Sequence, residues 1–440
     1  MRIAMIGGGY VGLVSGACFA EFGVEVAVVE ADADRLAALR DGRIPIYEPG
    51  LDRLVAENVA AGRLSFGGDI TAAVRGADAV MIAVGTPTRR GDGHADLTYV
   101  YAAVEQIAAS LDRYTVVVTK STVPVGTGRE IAARLARLRP DAEVDVASNP
   151  EFLREGSAIT DFMRPDRVVI GTDSERAREV LRRLYRPLFL IETPILFTGL
   201  ESAELIKYAA NAFLAMKITF INEMADISEK IGADVHEVAR GVGLDGRIGR
   251  KFLHPGPGFG GSCFPKDTLA LVRIARDAGA PSRLVETTVA INDARKVAMA
   301  DRVVAACGGS VRGKTIGVLG LTFKPETDDM REAPAIPILA ALAEQGAILR
   351  AFDPQGTEQA RPLLPPSVEY CRSGLEAATR ADALVVITEW NEFRALAPNR
   401  LRALMAGNVI VDLRNIFDPD AMREAGFVYS GIGRAAGRAG

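Results

Sequence analysis

The stretch RIAMIGGGYVG, residues 2–12, decides the fold of the first part of the chain. A short β-rich run, Arg2–Ile6, leads into Gly7-Gly8-Gly9-Tyr10-Val11-Gly12, a GxGxxG that opens a helix-like stretch. Gly7 permits the tight turn, Gly9 the close approach of a pyrophosphate, and Gly12 the contact of helix with strand. The first helical turn then offers N–H groups and the positive dipole end to phosphates. The next β run, Glu25–Val29, is followed by Glu30, eighteen residues after Gly12. A carboxylate there accepts both ribose hydroxyls and repels a 2′-phosphate, which favours NAD over NADP. The bland alternative is a glycine-rich turn beside a solvated glutamate. The combination of strand, loop, helix and acid speaks for the dinucleotide.

Outward from this segment, β-rich runs alternate with helical patterns as far as residue 195: Ala79–Val84, Thr115–Thr119, Glu143–Ala147 and Arg167–Ile170 follow the first two. Such alternation predicts a parallel sheet with helices on both faces. Gly85-Thr86-Pro87 and Ser121-Thr122-Val123-Pro124 fall at strand ends, where open α/β sheets bind ligands, and where ordinary turns also occur. From about 200 to 300 the β runs vanish. Glu201–Ile231 reads as one long helix, with Leu205, Tyr208, Ala212 and Ala215 at helical spacing, and Thr268–Asp277 and Arg283–Ala300 are also helical. From Gly313 the alternation resumes, with strands expected at Thr315–Leu319, Ile348–Phe352, Ala383–Ile387 and Asn408–Asp412, but without a second GxGxxG. The fold class is therefore α/β: two Rossmann-like, doubly wound sheet domains joined by a central helical domain with a long connecting helix. The expected divisions are 1–198, 199–300 and 311–430, with a mobile tail at 431–440.

The 440 residues exceed one ordinary core, and 48% hydrophobic with 25% charged residues is a globular composition. A net charge of −4 argues against a nucleic-acid surface. Met1–Ala20 is apolar after an arginine, yet its glycine pattern is not one a signal peptide needs, and no apolar run reaches membrane-span length. The cysteines Cys18, Cys263, Cys307 and Cys371 are scattered, with neither zinc spacing nor disulfide density, and histidines number three. No metal site and a reduced, cytoplasmic protein are expected.

One cysteine stands apart. In FGGSCFPKD, residues 259–267, two glycines let the backbone pass close to a ligand and a proline stiffens the exit. Asp267 is expected to N-cap the following helix. Cys263 then lies just ahead of a helix start and near Lys266, features that lower a thiol pKa from about 8.5 and favour a nucleophile. The other three read as small core hydrophobes. On the long helix Glu204, Lys207 and Asn211 share a face at i, i+3 and i+7. They form either a solvated stripe or, given the alanines and Phe213 around Asn211, a buried row that needs polar partners such as a substrate.

These segments together resemble the UDP-glucose/GDP-mannose dehydrogenase family. The likeness runs to about Asn415 through GGGYVGL, IPIYEPGL (44–51), VGTPT (84–88), KSTVPVGT (120–127), NPEFLREG (149–156), ELIKYAANAFLAMKITFINE (204–223), RIGRKFLHPGPGFGGSCFPKDTLAL (247–271), GLTFKPETDDMRE (320–332) and DLRN (412–415). It implies an N-terminal NAD domain, a helical dimerisation core making a homodimer, and a C-terminal UDP-binding domain. By motif, Val11, Glu30, Arg35, Thr86, Thr122, Glu155, Lys266 and Arg331 would touch NAD. Glu151, Phe152, Leu153, Lys207, Asn211, Phe252, Leu253, His254, Pro255, Gly256, Gly260 and Lys324 would line a UDP-sugar. The family commonly has Asp at Glu30 and Lys at Arg35, departures that keep the charges.

The implied reaction is the four-electron oxidation of UDP-glucose to UDP-glucuronate by NAD, with thiohemiacetal and thioester intermediates on Cys263. Lys207 and Asn211 would stabilise oxyanions, Asp267 or Thr122 would hold a proton-carrying water, and Glu151 would activate the hydrolytic water. Rival readings are the same chemistry on GDP-mannose or a UDP-N-acetyl sugar, a two-electron 3-hydroxyacid dehydrogenase, and a non-catalytic nucleotide-sugar sensor. The 3-hydroxyacid reading leaves Cys263 and the second sheet without a purpose.

Overall fold

The structure, a computed structural model, describes residues 1–87 and 95–434, and the chain divides into two compact units, Met1–Ala210 and one beginning at Asn211. The first is built on eight strands: β1 Arg2–Ile6, β2 Glu25–Val29, β3 Leu64–Gly67, β4 Ala79–Ile82, β5 Thr115–Thr119, β6 Val144–Ser148, β7 Val168–Gly171 and β8 Ile195–Thr198. Their order is β3-β2-β1-β4-β5-β6-β7-β8. Alternation along each strand divides the core between the faces. Ile3, Met5, Val116 and Val118 enter one apolar cluster, and Ala4, Ile6, Val80 and Val117 the other. The sheet is not parallel throughout, as the alternation had suggested: β7 meets β6 antiparallel, through Ser148 and Gly171. The intervening segment holds one short helix, Ala158–Met163, and returns along the sheet instead of crossing over it.

The second unit carries β9 Thr315–Leu319, β10 Ile348–Phe352, β11 Glu369–Tyr370, β12 Ala383–Val386, β13 Val409–Asp412 and β14 Val428–Gly431, in the order β11-β10-β9-β12-β13-β14. Every pairing in this sheet is parallel. This order repeats that of β1–β6, and the likeness reaches atomic detail. Gly7 donates its N–H to Val29 at 2.9 Å, and Gly320 donates to Phe352 at 2.8 Å. Both glycines have positive φ, 111° and 87°, in the first turn after the first strand. A Cβ on Gly7 would lie 2.5 Å from the Ala83 carbonyl oxygen, and one on Gly320 would run into Thr388. An acid follows the second strand in each case, Glu30 or Asp353.

The acids then diverge. Asp353 is buried and accepts from Leu321 N (2.7 Å), Thr322 N (3.1 Å), Thr322 Oγ1 (3.1 Å), Gln355 N (2.9 Å), Gly356 N (2.7 Å) and Trp390 Nε1 (3.2 Å). Its lone pairs are committed to the fold of the second unit, and none is left to receive a ribose.

The long helix, Leu200–Ile231, matches its expected range to one residue, and Phe264–Asp277 and Arg283–Ala306 are longer than expected. A fourth helix, Val235–Leu244, was not anticipated. On the long helix Tyr208, Ala212 and Ala215 are buried, but Leu205 and Phe213 are exposed, so these two do not mark its buried face. Phe213, Phe220 and Ile227, spaced by seven, form with Ile231 an exposed apolar stripe. The end of the chain is held further than expected. Residue 431 closes β14, Gly433 donates to Glu229 Oε1 at 2.7 Å, and Arg434 bridges to Asp234. Residues 435–440 of the expected tail lie outside the described residues.

Replacing Asp353 with Asn puts an amide donor among donors and leaves buried N–H groups without acceptors. We expect the second unit to lose about 3 kcal/mol. Denaturant unfolding followed through Trp390, the chain's one tryptophan, checks this, and an unchanged midpoint would refute it.

Candidate active site

The glycine turn fits a pyrophosphate. Gly9 is the N-cap of the helix Tyr10–Glu21, whose first turn holds no acidic residue. A Cβ on Gly9 would meet nothing within 4 Å, so the protein's own packing does not demand a glycine there. At Gly12, by contrast, a Cβ would collide with the Gly7 carbonyl, which fixes the helix against the turn. Glu30 is buried, with one oxygen accepting from Asp32 N at 2.9 Å and the other 3.9 Å from Arg35 Nε. Thr86 Oγ1 donates to the Thr122 carbonyl at 2.9 Å, tying together the two loops singled out at the ends of β4 and β5. Thr88 of the VGTPT motif lies outside the described residues.

The row on the long helix is buried rather than solvated. Glu204, Lys207 and Asn211 are 3%, 2% and 7% exposed, and each has a partner. Glu204 accepts from Gly126 N at 2.6 Å and Gly128 N at 2.8 Å. Lys207 Nζ donates to Glu151 Oε1 at 2.9 Å, while Glu151 Oε2 accepts from Leu153 N at 2.6 Å. Burial alone would raise the Glu151 carboxyl, but the Lys207 ammonium outweighs it and holds the pKa below the ordinary carboxylate range. Phe152 lies under both Lys207 Nζ (5.4 Å) and Arg167 (3.6 Å). Glu155, half-buried, follows on the same segment.

In the second unit Asn211 Nδ2 donates to Asp267 Oδ2 at 2.7 Å, and Lys266 Nζ stands 3.2 Å from Asp267 Oδ1. Asp267 is not the helix cap it was expected to be. The helix begins at Phe264, with Cys263 as its N-cap and Asp267 buried in the first turn. Pro265, favoured in a first turn by its fixed φ and missing N–H, sets that start. Cys263 is half-exposed, with Ser262 Oγ 3.5 Å from its sulfur; the other three cysteines are buried, and none of the four is in a disulfide.

The loop before Cys263 leans on the segment 323–332. Gly261 N donates to the Arg331 carbonyl at 2.8 Å, a Cβ on Gly261 would lie 2.7 Å from the Phe323 ring, and one on Gly260 would strike the Glu332 carbonyl. The Arg331 side chain is engaged with Asp329 at 2.8 Å, and Lys324 lies over Phe323 at 5.3 Å. Gly256 is pinned by Asn222 Oδ1 (2.8 Å) and Arg295 Nε (2.8 Å), next to a buried Leu253 and a left-handed Phe252 (φ 65°). Pro255 is buried and His254 exposed. Among the described residues no group of His, Cys, Asp and Glu is placed to hold a metal, and no helix is long and apolar enough to cross a membrane.

Models of the NAD-binding, central and UDP-binding domains of the UDP-glucose/GDP-mannose dehydrogenase family match residues 1–189, 201–294 and 317–419. The chain belongs to this family. It is an NAD-dependent oxidoreductase. It is 62% identical to a UDP-glucose 6-dehydrogenase of Rhizobium meliloti (strain 1021), over 99% of this chain and 100% of that protein. With the UDP-glucose 6-dehydrogenase TuaD of Bacillus subtilis (strain 168) it shares 49% identity, over 99% and 94% of the two chains. A solved UDP-glucose dehydrogenase from Pyrobaculum islandicum superposes with a TM-score of 0.90 at 39% identity, covering 99% of this chain and 98% of that one.

Sequence reasoning passed over Lys120, although it opens a motif quoted above and follows the apolar β5. It is fully buried, with Asn149 Oδ1 at 3.2 Å and the Tyr185 hydroxyl at 3.3 Å. Burial pushes its pKa down to about 8, against an upward pull from Glu151 and with a further push from Lys207. The unfolded chain keeps this proton to about pH 10.4. Between the two values the unfolded state therefore binds more protons, and folded stability rises with pH. We expect the unaltered chain to gain about 3 kcal/mol relative to Lys120→Met between about pH 7 and about pH 10.5. Parallel pH profiles of unfolding free energy for the two chains check this, and profiles that do not diverge over that range would refute it.

Proposed function

We propose that the chain oxidises UDP-glucose to UDP-glucuronate in two two-electron steps, with Cys263 carrying the intermediate. The observation that carries this is the placement of Cys263: half-exposed, at the N-cap of a helix whose first turn holds Asp267, itself bonded to Asn211. The names of the relatives support the choice of sugar. NAD⁺ supplies the hydride acceptor at each oxidation. In the turn, Gly9 leaves room for its pyrophosphate while Gly7 and Gly12 hold the turn and the helix in place around it, Val11 flanks it, and Glu30 with Arg35 nearby receives the ribose. Thr86, Thr122, Glu155, Lys266 and Arg331 complete the cofactor contacts.

The alcohol proton leaves through a water held by Asp267 or Thr122. The Cys263 sulfur then bonds to the aldehyde carbon, whose oxygen takes a proton to give a thiohemiacetal. Loss of that proton and a hydride gives the thioester. Water, deprotonated by Glu151, breaks the C–S bond, releases the carboxylate and returns the thiol. A cysteine is needed because an aldehyde has no readily transferred hydride until a nucleophile adds. Lys207 and Asn211 donate to the oxyanions of both stages, each such donor contributing about 3–4 kcal/mol. Phe152, Leu153, Phe252–Gly256, Gly260 and Lys324 hold the UDP-sugar. We place the NAD domain at 1–198, the helical core at 199–300 and the UDP domain at 311–430. The four unbridged thiols fit the cytoplasm.

Cys263→Ser should bind UDP-glucose and NADH with little loss while net turnover falls by at least about a thousandfold. The unaltered chain should release two NADH per UDP-glucuronate. Full activity of the variant, a one-to-one ratio, or preferential turnover of GDP-mannose would each contradict the assignment.

We also propose a homodimer through the long helix, because Phe213, Phe220, Ile227 and Ile231 form a seven-residue-spaced apolar stripe that a second copy covers symmetrically. Phe220→Asp should halve the mass seen in sedimentation, and an unchanged mass would exclude this face.

A further inference from the structure

The segment that carries Glu151 is held at its far end by a carboxylate that the proposed reaction does not use. Glu48 is 6% exposed, and its Oε1 accepts from Ala158 N at 2.7 Å while Oε2 accepts from Gly156 N at 2.6 Å. These donors open the short helix Ala158–Met163. The N-cap of that helix is Ser157, a residue type that ordinarily caps with its own hydroxyl, but here its side chain makes no capping bond. A glutamate more than a hundred residues away in sequence does the capping instead.

The same Oε2 accepts a third bond, from the Tyr10 hydroxyl at 2.5 Å. Tyr10 is the first residue of the helix that follows the glycine turn, between Gly9 and Val11. Its burial, and then the bond to Glu48, push the hydroxyl pKa far above the ordinary tyrosine value, so the phenol remains a donor at every working pH. At the near end of the segment, Glu151 is fixed by Leu153 N and Lys207 Nζ. One buried carboxylate thus shares its lone pairs between the turn that receives pyrophosphate and the segment that faces the sugar. Shifting either group leaves a buried donor without its acceptor.

We infer that Glu48 is a positioning residue that joins the cofactor turn to the sugar-side segment through Tyr10, so that occupation of one tightens the grip of the other. This rests on the reading of residues 151–153 given under Proposed function. Coupling between two ligands is reciprocal, so it is measurable from either side. Neither Glu48 nor Tyr10 needs to touch a reacting atom for this role.

The test is NADH affinity, by fluorescence titration, with and without saturating UDP-glucose. In the unaltered chain we expect UDP-glucose to tighten NADH at least about fivefold, and in Tyr10→Phe to change it by less than about twofold, with the melting temperature little moved. Glu48→Gln should lose the coupling too and weaken each ligand alone, and should it fail to fold, Tyr10→Phe still decides. Absence of coupling in the unaltered chain, or full coupling in Tyr10→Phe, overturns the inference. If the unaltered chain does not bind UDP-glucose at all, the proposed function falls and this falls with it. If both ligands bind but their coupling ignores Tyr10, only this inference falls.

Discussion

The contact on which the candidate site depends is the buried pair of Lys207 and Glu151, 2.9 Å apart and almost wholly removed from water. Taking two charges out of water is costly, and replacing such a pair with apolar groups often stabilises a protein, so stability does not explain its presence. Removing one partner is worse still, because it leaves a bare charge in the interior. The pair therefore acts as a geometric constraint. The chain after β6 must bring Glu151 to the long helix, and Leu153 N must turn back to donate to the remaining oxygen. Lys120, Asn149 and Tyr185 lie in the same interior, where the Tyr185 hydroxyl and Lys120 both donate to Asn149 Oδ1. A second buried cation so near would repel Lys207, and the intervening carboxylate offsets that repulsion.

The two sheets show how little separates a ligand site from a structural node. Both have the same strand order, the same left-handed glycine after the first strand and an acid after the second. In the first unit the acid is Glu30, which accepts from Asp32 N and keeps acceptor capacity for ribose hydroxyls. In the second, Asp353 receives six donors, one of them the indole of Trp390. The turn before it has also lost the glycine pattern: Gly320 is followed by Leu321 and Thr322, whose N–H groups point at Asp353 instead of at a phosphate. Topology alone would have predicted two dinucleotide sites, and hydrogen-bond accounting distinguishes them.

The same accounting explains what was legible in the sequence. Interior strands announce themselves as apolar runs, and β1, β2, β5, β9 and β10 match their expected ranges. The four strands that were missed, β3, β8, β11 and β14, are the edges of the two sheets. An edge strand is short and half-exposed, so its apolar run is weak: Leu64–Gly67 has one fully buried residue, and Glu369–Tyr370 has none. The cysteine loop, the glycine turn and the row on the long helix were readable because each concentrates unusual residues at fixed local spacing. Glu48, Lys120 and Arg295 carry no such signal. Their roles arise from partners distant in sequence, and a buried charge is not visible until its partner is.

The displaced helix start near Cys263 changes the electrostatics of the candidate nucleophile. Had the helix begun after Asp267, the sulfur would have lain a full turn ahead of its N–H groups. With Phe264 as its first residue, Cys263 itself is the cap, where the helix dipole attracts negative charge most strongly. The cost is a carboxylate in the same first turn, since Asp267 would repel an ionised sulfur. One of its oxygens accepts from Asn211, and the other stands 3.2 Å from the Lys266 ammonium, which offsets its charge. Lys266 and Asn211 therefore matter to the cysteine even where they do not touch it: they let a buried carboxylate share a helical turn with the sulfur at the helix cap.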